Sequence, residues 1–483
     1  MSDWHLIYDI GSTYTKLSAF SNDGNKLEFL GKSQSPTSLA DIVVGLDKAR
    51  GDLPLEVRQR TDRPSLFSSS SAAGGLRMVA MGYMPRVTAK AAKEVAMNAG
   101  ARVLEVVSHD EPADYRLEVL REIRPDIILL AGGTDSGETE SMLENANLIV
   151  KAKLEAKIIV AGNIAIQPEV ARIFDDSGIP YIRVGNVMPT IHDLNVRPAR
   201  SAIHGEFIRQ ITRAPGLARL ADMVEDKEVI PTPAAILMGA ELLANGTYQR
   251  EGVGGVLVLD LGGATTDVHS VIPDLASLRS EERGLVITND KQVAFRTVEG
   301  NLGLRVSASG IAEAVGPAGL LALRDRLKGV NEPGQPSAEE MERVVRYTAF
   351  LEDNTEHLPD NEWEEELEPA LASAAVEVAL RRHAGHWQTE YNPVLGIQPG
   401  SPVGRDLRPI KWVIGVGGFF THRSKEAGLR IIEEVFKNPG LSLLPEQPQI
   451  RLDSNYLLYA VGLLSRTSPD LALNFALKYF DME

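Results

Sequence analysis

Short apolar runs set off by glycine alternate with longer stretches of helical period along most of the chain, the pattern of an α/β protein. The clearest run, Val256-Leu257-Val258-Leu259, leads into Asp260-Leu261-Gly262-Gly263-Ala264-Thr265-Thr266-Asp267 and then a second run, Val268-His269-Ser270-Val271. Apolar runs bounded by glycines predict buried strands, and Gly-Gly predicts a tight turn joining them. A carboxylate therefore stands where a buried strand ends. Near the N-terminus Leu6-Ile7-Tyr8 leads into a second copy of the phrase, Asp9-Ile10-Gly11-Ser12-Thr13-Tyr14-Thr15-Lys16. The copies agree at Asp, an aliphatic residue, Gly, a small residue and Thr in seventh place. At the eighth, Lys16 stands where the other copy has Asp267. Two like hairpins in one chain predict two like lobes.

After the first phrase, Thr15 to Phe20 continues as a strand, Asn22-Asp23-Gly24-Asn25 turns, and Lys26 to Leu30 returns, a three-stranded meander. A helix is predicted over Leu39 to Ala49, stopped by Gly51 and Pro54, and the serine run 68 to 71 reads as a polar loop, with a phosphate-facing or partner-facing loop as the alternative, before a strand from Leu76 to Met81. From Thr88 to about Val187 strands and helices alternate, which predicts a parallel sheet with right-handed crossovers. Its strands end in Gly132-Gly133-Thr134-Asp135, Gly162-Asn163 and Gly185-Asn186, a rim that either binds a ligand or merely closes short loops. Residues 195 to 250 read as helical, with Ala235 and Gly239 four apart on one face of the segment opened by Pro231-Thr232-Pro233. Small residues there invite a close helix partner, and Asn455 to Leu464, carrying Ala460 and Gly462, is the expected counterpart in a hinge. Farther on come strands at Gly284 to Thr288 and Val293 to Val298, a helix from Pro369 to Arg382, and a strand from Lys411 to Val416. The division expected is an N-terminal lobe, 1–250, enclosing a Rossmann-like α/β unit at about 88–190, and a C-terminal lobe, 251–483. Whether the last helices, about 453–483, pack back on the first lobe stays open.

Composition narrows the function. The chain has 483 residues, enough for two to four domains. It has no cysteine, which excludes disulfides and thiolate metal sites. Lys and Arg number 50 against 66 Asp and Glu, a net charge of −16 that is the wrong sign for wrapping nucleic acid. No charged-then-apolar leader opens the chain and no apolar run reaches membrane-spanning length, so the cytoplasm is the expected location. Nine carboxylates and no Lys or Arg fall within Leu351 to Glu368, a block that reads as a solvated face or loose insertion, with docking of a partner as the alternative.

The two phrases suggest their own chemistry. Glycines let backbone N–H groups approach an anion closely, Thr265 and Thr266 add hydroxyls, and Asp9 and Asp260 offer hard oxygen ligands. That set suits a phosphate chain with Mg²⁺, which takes one or two carboxylates plus phosphate and water. A single copy could equally be a plain hairpin with an Asp at its turn. The pair, with the ammonium of Lys16 contributed by one lobe and an aspartate by each, carries the case.

These phrases resemble the first and second phosphate motifs of the actin, heat-shock chaperone and sugar kinase superfamily, and Ile414-Gly415-Val416-Gly417-Gly418 resembles its adenosine motif. More narrowly, the chain resembles the MutL family of glutamate mutase accessory proteins, unrelated to the mismatch-repair proteins of that name. The narrower likeness rests on Tyr8-Asp9-Ile10-Gly11-Ser12-Thr13, Ser69-Ser70-Ser71-Ala72-Ala73-Gly74-Gly75-Leu76-Arg77, Leu130-Ala131-Gly132-Gly133-Thr134-Asp135 and Gly404-Arg405-Asp406-Leu407. It implies a two-lobed actin-like ATPase fold made of duplicated ribonuclease-H-like lobes. It further implies ATP and Mg²⁺ as ligands, with Asp9 and Asp260 toward the metal, Lys16 toward phosphate and Asp267 toward the attacking water. Gly11, Ser12, Thr13, Gly262, Gly263, Ala264 and Thr265 would cradle the phosphates, and Gly415, Gly417 and Gly418 the adenosine. The partner implied is an adenosylcobalamin-dependent mutase, whose damaged cobalamin an ATP-driven lobe movement would release. In chaperone-like members a catalytic Glu precedes the Pro-Thr pair; Ile230 stands there, so no general base carries over. Two other readings share the fold: a small-molecule kinase, for which Asp267 or Asp135 is the nearest base, and a non-enzymatic filament or scaffold.

Overall fold

In the computed structural model, which describes residues 3–11, 14–38, 41–71, 77–83, 102–190, 195, 198–199, 201–203, 205–206, 217–225, 227–272, 294–330, 334–391 and 398–483, the chain forms two compact units that divide after Ala235. The first opens on the expected meander. Strand β1 (Asp3–Ile10) pairs antiparallel with β2 (Tyr14–Asn22), and β2 with β3 (Leu27–Pro36). On the far side of β1, β4 (Ser65–Ser70) and the two-residue β10 (Ile230–Pro231) add in parallel, giving the order β10-β4-β1-β2-β3. The second unit repeats this. β11 (Val256–Leu261), β12 (Thr266–Val271) and β13 (Ala294–Glu299) form its meander, and β16 (Trp412–Val416) and β17 (Gln449–Leu452) extend it in parallel beyond β11. Three antiparallel strands with two parallel ones hung on the first is the ribonuclease-H-like order, present twice. The fold is α/β and actin-like, duplicated as the repeated phrase predicts.

The nested parallel sheet has the order β6-β5-β7-β8-β9, with β5 (Arg77–Gly82), β6 (Arg102–Ser108), β7 (Ile127–Leu130), β8 (Lys157–Val160) and β9 (Tyr181–Arg183). It takes in β5, upstream of residue 88. Both faces are covered, so the strands are apolar without alternation. Ile128 and Leu130 face a core shared with the helices Ala113–Ile123, Glu140–Ala152 and Gln167–Asp176. Ile127 and Leu129 join the core that also holds Leu6, Tyr8 and Leu17 of the meander. Each such residue contributes about 1.5–3 kcal/mol on full burial. In the second unit Leu257, Leu259 and Leu261 pack on Leu371, Ala375 and Ala379 of the long helix Glu362–His383. A small pair, β14 (His386–Trp387) with β15 (Pro402–Val403), precedes β16.

Several elements differ from the sequence reading. The serine run is no loop: Ser68, Ser69 and Ser70 are the buried end of β4 beside β1. Tertiary hydrogen bonds replace the water that serine hydroxyls otherwise demand. The helix expected at Pro369 begins at Glu362, where the Asn361 side chain accepts from the Glu364 N–H and caps it. The acidic block is therefore neither loose nor wholly solvated. Leu351 and Leu367 are in the core, and buried Glu368 pairs with Arg305 at 3.0 Å. The first helix starts at Ile42, capped by Asp41. The helical stretch 195–250 is interrupted by β10, after which the helix Thr232–Asn245 runs across the division between the units. The strand expected at 284–288 lies outside the described residues. Among the described residues no helix is long and apolar enough to cross a membrane.

Candidate nucleotide site

Each phrase folds as the same hairpin. In the first, the Gly11 N–H donates to the Tyr14 carbonyl at 2.9 Å, and Asp9 lies opposite Lys16 across the strand pair. In the second, the Gly262 N–H donates to the Thr265 carbonyl at 2.9 Å, and Asp260 lies opposite Asp267. A Cβ on Gly11 would come within 2.7 Å of the Tyr14 oxygen, so the turn needs glycine there. The seventh-place threonines anchor both turns. Thr15 meets the hydroxyl of Thr37, which itself donates to the Gly11 carbonyl, and Thr266 donates to the Leu302 carbonyl at 2.6 Å. Each thus ties the turn to the chain leaving the third strand of its meander. Thr266, read from sequence as an anion donor, is committed to backbone. Ser12 and Thr13 lie outside the described residues.

The side chains at the hairpin ends differ. Asp9 is buried; its Oδ1 accepts hydroxyl hydrogen bonds from Ser69, at 3.1 Å, and from Thr232, while Oδ2 lies 3.8 Å from Lys16 Nζ. Asp260 is half-buried at the end of β11, beside Val416 of β16. Asp267 is buried against Arg296, 3.1 Å away, with Thr265 Oγ1 at 3.4 Å. Burial pushes its carboxyl above the usual range despite that guanidinium.

The second turn is clamped by the segment after β13. Leu304 N–H donates to the Gly262 carbonyl, Arg305 and Val306 N–H to that of Gly263, and Ser307 Oγ to that of Ala264. Arg305 in turn holds Glu368, so the end of the acidic block supports this turn. Sequence reasoning did not single out Arg296 or Arg305, and it named Ser69 and Thr232 without giving either a role beside Asp9. The only signal for the last two was a serine-rich stretch with poor strand propensity and a Pro-Thr pair.

The glycines at the end of β16 and just beyond it have separate duties. Gly415 faces the core, where a Cβ would meet Ile432 and Leu452. Gly417 has φ of +118°, and a Cβ there would lie 2.2 Å from the Leu261 carbonyl oxygen and 3.2 Å from Asp260 Oδ1. A Cβ on Gly418 would meet nothing within 4 Å. The glycine segment therefore abuts the second hairpin, with open space above Gly418. Gly417→Ala should destabilise the protein by about 2 kcal/mol or more through backbone strain and collision, whereas Gly418→Ala should leave stability within about 0.5 kcal/mol. Chemical denaturation of the two variants checks this.

The helices expected to pair do so. A Cβ on Gly239 would come within 2.6 Å of the Leu458 carbonyl oxygen, in the helix Leu458–Leu464. Buried Asp453 caps that helix, accepting from the N–H groups of Leu457 and Leu458 at 2.7 Å. The rim of the parallel sheet is likewise brought together. Asn186 Nδ2 donates to Asp135 Oδ1 and the Gly133 carbonyl, and Asn163 Nδ2 to the carbonyls of Gly137 and Glu138. These polar groups close the rim loops on one another.

Residues 5–480 match the model of a family described as MutL protein. The chain belongs to the MutL family. It is 37% identical to Protein MutL of Clostridium tetanomorphum over 483 residues, covering 99% of each chain. Among solved structures it is similar to a nucleotide-free acetone carboxylase at 12% identity, covering 96% of this chain and 70% of that one, with a TM-score of 0.39. A gluconate kinase from Lactobacillus acidophilus is 9% identical, with 99% and 90% covered and a TM-score of 0.33. Membership of the MutL family thus rests on sequence, and the actin-like architecture on the two matched sheets.

Each hairpin, taken within its own unit, carries groups whose chemistry suits a hydrated cation and a phosphate chain. Two carboxylates end equivalent strands, each followed by a turn whose glycine a side chain would crowd, and open space lies over Gly418 beside the second hairpin.

Proposed function

We propose that the protein is a Mg²⁺-dependent ATPase that serves an adenosylcobalamin-dependent mutase of the glutamate mutase or aminomutase type, freeing it of damaged cobalamin. The observation that carries the ATPase reading is the duplicated hairpin with a carboxylate at each strand end. Mg²⁺ would supply charge neutralisation of the phosphates. Asp9 and Asp260 would each offer a carboxylate to its hydrated shell, Lys16 would neutralise phosphate oxygen, and the turn glycines would admit backbone N–H groups to the anion. Asp267, fixed by Arg296 and Thr265, orients the water that attacks. The MutL family membership supports the mutase partner, and the cytoplasm is the compartment that fits it.

Binding energy can open the mutase only if nucleotide favours one conformation over another. Basal hydrolysis is accordingly slow and rises with a cognate mutase holding inactive cobalamin. The experiment inactivates candidate mutases with cyanocobalamin and assays them with this protein, ATP, Mg²⁺ and fresh adenosylcobalamin. Activity should return only when all four are present. Repeated recovery with a non-hydrolysable ATP analogue would defeat the hydrolytic mechanism. Rapid phosphorylation of a metabolite without mutase would favour the kinase, although Asp135 is already held by Asn186 and the Ile164 N–H.

A further inference from the structure

β4 is an unusual strand. Serine has little to offer a pleated, buried surface, yet Ser68, Ser69 and Ser70 sit at 0–1% exposure in the middle of a sheet. A buried hydroxyl costs stability unless it is hydrogen-bonded. Ser70 Oγ donates to the Ile10 carbonyl and Ser68 Oγ to that of Ser69, so these two serve backbone. Ser69 Oγ has two acceptors, Asp9 Oδ1 at 3.1 Å and, farther off, the Tyr8 carbonyl at 3.5 Å, and the carboxylate is the nearer and the charged one. The register explains why: Ser69 stands beside Asp9 in β1 on one side and beside Ile230 of β10 on the other. Two residues past Ile230, the chain enters the helix Thr232–Asn245, and the buried Thr232 hydroxyl donates to that same Oδ1. Two hydroxyls, one from the end of β4 and one from the helix that follows β10, therefore converge on one oxygen of the carboxylate that β1 carries. The other oxygen is turned toward Lys16.

We propose that Ser69 and Thr232 are positioning residues for Asp9. Their two hydroxyls occupy Oδ1 and fix the carboxylate plane, leaving Oδ2 as the oxygen presented to a hydrated cation and to Lys16. Outer hydrogen bonds that orient a metal-binding carboxylate govern metal affinity as the ligand itself does, with losses on the order of 10- to 100-fold when they are removed. The inference rests on the Mg·ATP reading and deepens it, giving a role to the serine segment that the family resemblance singled out.

The test is equilibrium ATP binding by titration calorimetry across a range of Mg²⁺ concentrations, with no turnover involved. Ser69→Ala and Thr232→Val should each raise the Mg²⁺ needed for half-maximal tightening of ATP binding about tenfold, with ATP affinity in the absence of Mg²⁺ unchanged. Ser69→Thr and Thr232→Ser keep a hydroxyl and should stay near the parent. Ser68→Ala, which removes a hydroxyl from the same strand without touching Asp9, should also match the parent. Folded Ser69→Ala and Thr232→Val proteins with the parent's Mg²⁺ dependence would overturn the inference. So would an equal shift in Ser68→Ala, which would assign the effect to strand packing. If either alanine or valine variant fails to fold, the hydroxyl-keeping variant and the remaining single replacement still decide. A parent that binds no Mg·ATP would remove the ATPase reading itself, a result visible before any variant is made.

Discussion

Asp260→Asn should weaken Mg·ATP binding by about 2–3 kcal/mol, roughly 30- to 150-fold, while leaving Mg²⁺-free nucleotide binding nearly unchanged. The side chain stands half-buried at the end of β11, with Gly417 of the adenosine-like segment closely apposed to it. Asparagine keeps the shape and one acceptor but removes the charge, so the loss reports the carboxylate's work on the cation rather than packing. Calorimetry of parent and variant with and without Mg²⁺ checks it. Equal binding of Mg·ATP would show that Asp260 does not face the metal. Lys16→Ala should also weaken nucleotide binding, and by more than Asp267→Ala, which should chiefly slow turnover. Asp267→Ala carries a second cost because it strands the buried Arg296 guanidinium that now pairs with it.

The second large effect is on stability in mild acid. His269 and His383 are fully buried in the second unit. His383 is held through both ring nitrogens, by Ser270 at Nε2 and by Thr297 and Arg405 at Nδ1. Among the described residues neither ring nitrogen of His269 has a hydrogen-bond partner. Burial, with Arg405 beside His383 and Arg296 near His269, holds both well below the ordinary histidine value. Their native forms are neutral, so below the unfolded value, about 6.5, only the unfolded chain takes up these protons. The stability that neutral burial secures above that pH is lost as pH falls toward the depressed native values. Between about pH 7.5 and 5.5 the loss should be roughly 1.4 kcal/mol for each histidine, nearly 3 for the pair. The raised carboxyl of Asp267 acts in the opposite sense, adding stability as pH falls toward its unfolded value near 4. Urea unfolding at the two pH values measures the slope. His269→Phe should halve it and, by removing two unsatisfied nitrogens, raise stability at neutral pH by about 1 kcal/mol. An unchanged slope in that variant would mean that His269 is not buried neutral.

Features written locally and repeated are legible in the chain before it folds. An apolar run, a carboxylate, a glycine turn and a returning strand specify a hairpin with few alternatives, and the second copy specifies the duplication. The alternation from 102 to 183 likewise reads directly, because strands buried on both faces must be continuously apolar and the helices between them must keep a 3.6-residue period. Close helix approach at Gly239 was legible for a similar reason: only a missing side chain permits it. Tertiary structure decided the rest. Ser68 to Ser70 became a buried strand because Asp9 and neighbouring carbonyls supply what water would, and no local propensity encodes partners sixty residues away. The acidic block became a capped helix start because Asn361, nearby, accepts from the Glu364 N–H at the helix start and Arg305, from another segment, pairs with Glu368. Asp267 illustrates the limit most sharply. Its position in the hairpin follows from the phrase, but its burial and its pairing with Arg296 depend on the register of β12 against β13, which forms only when the whole sheet does.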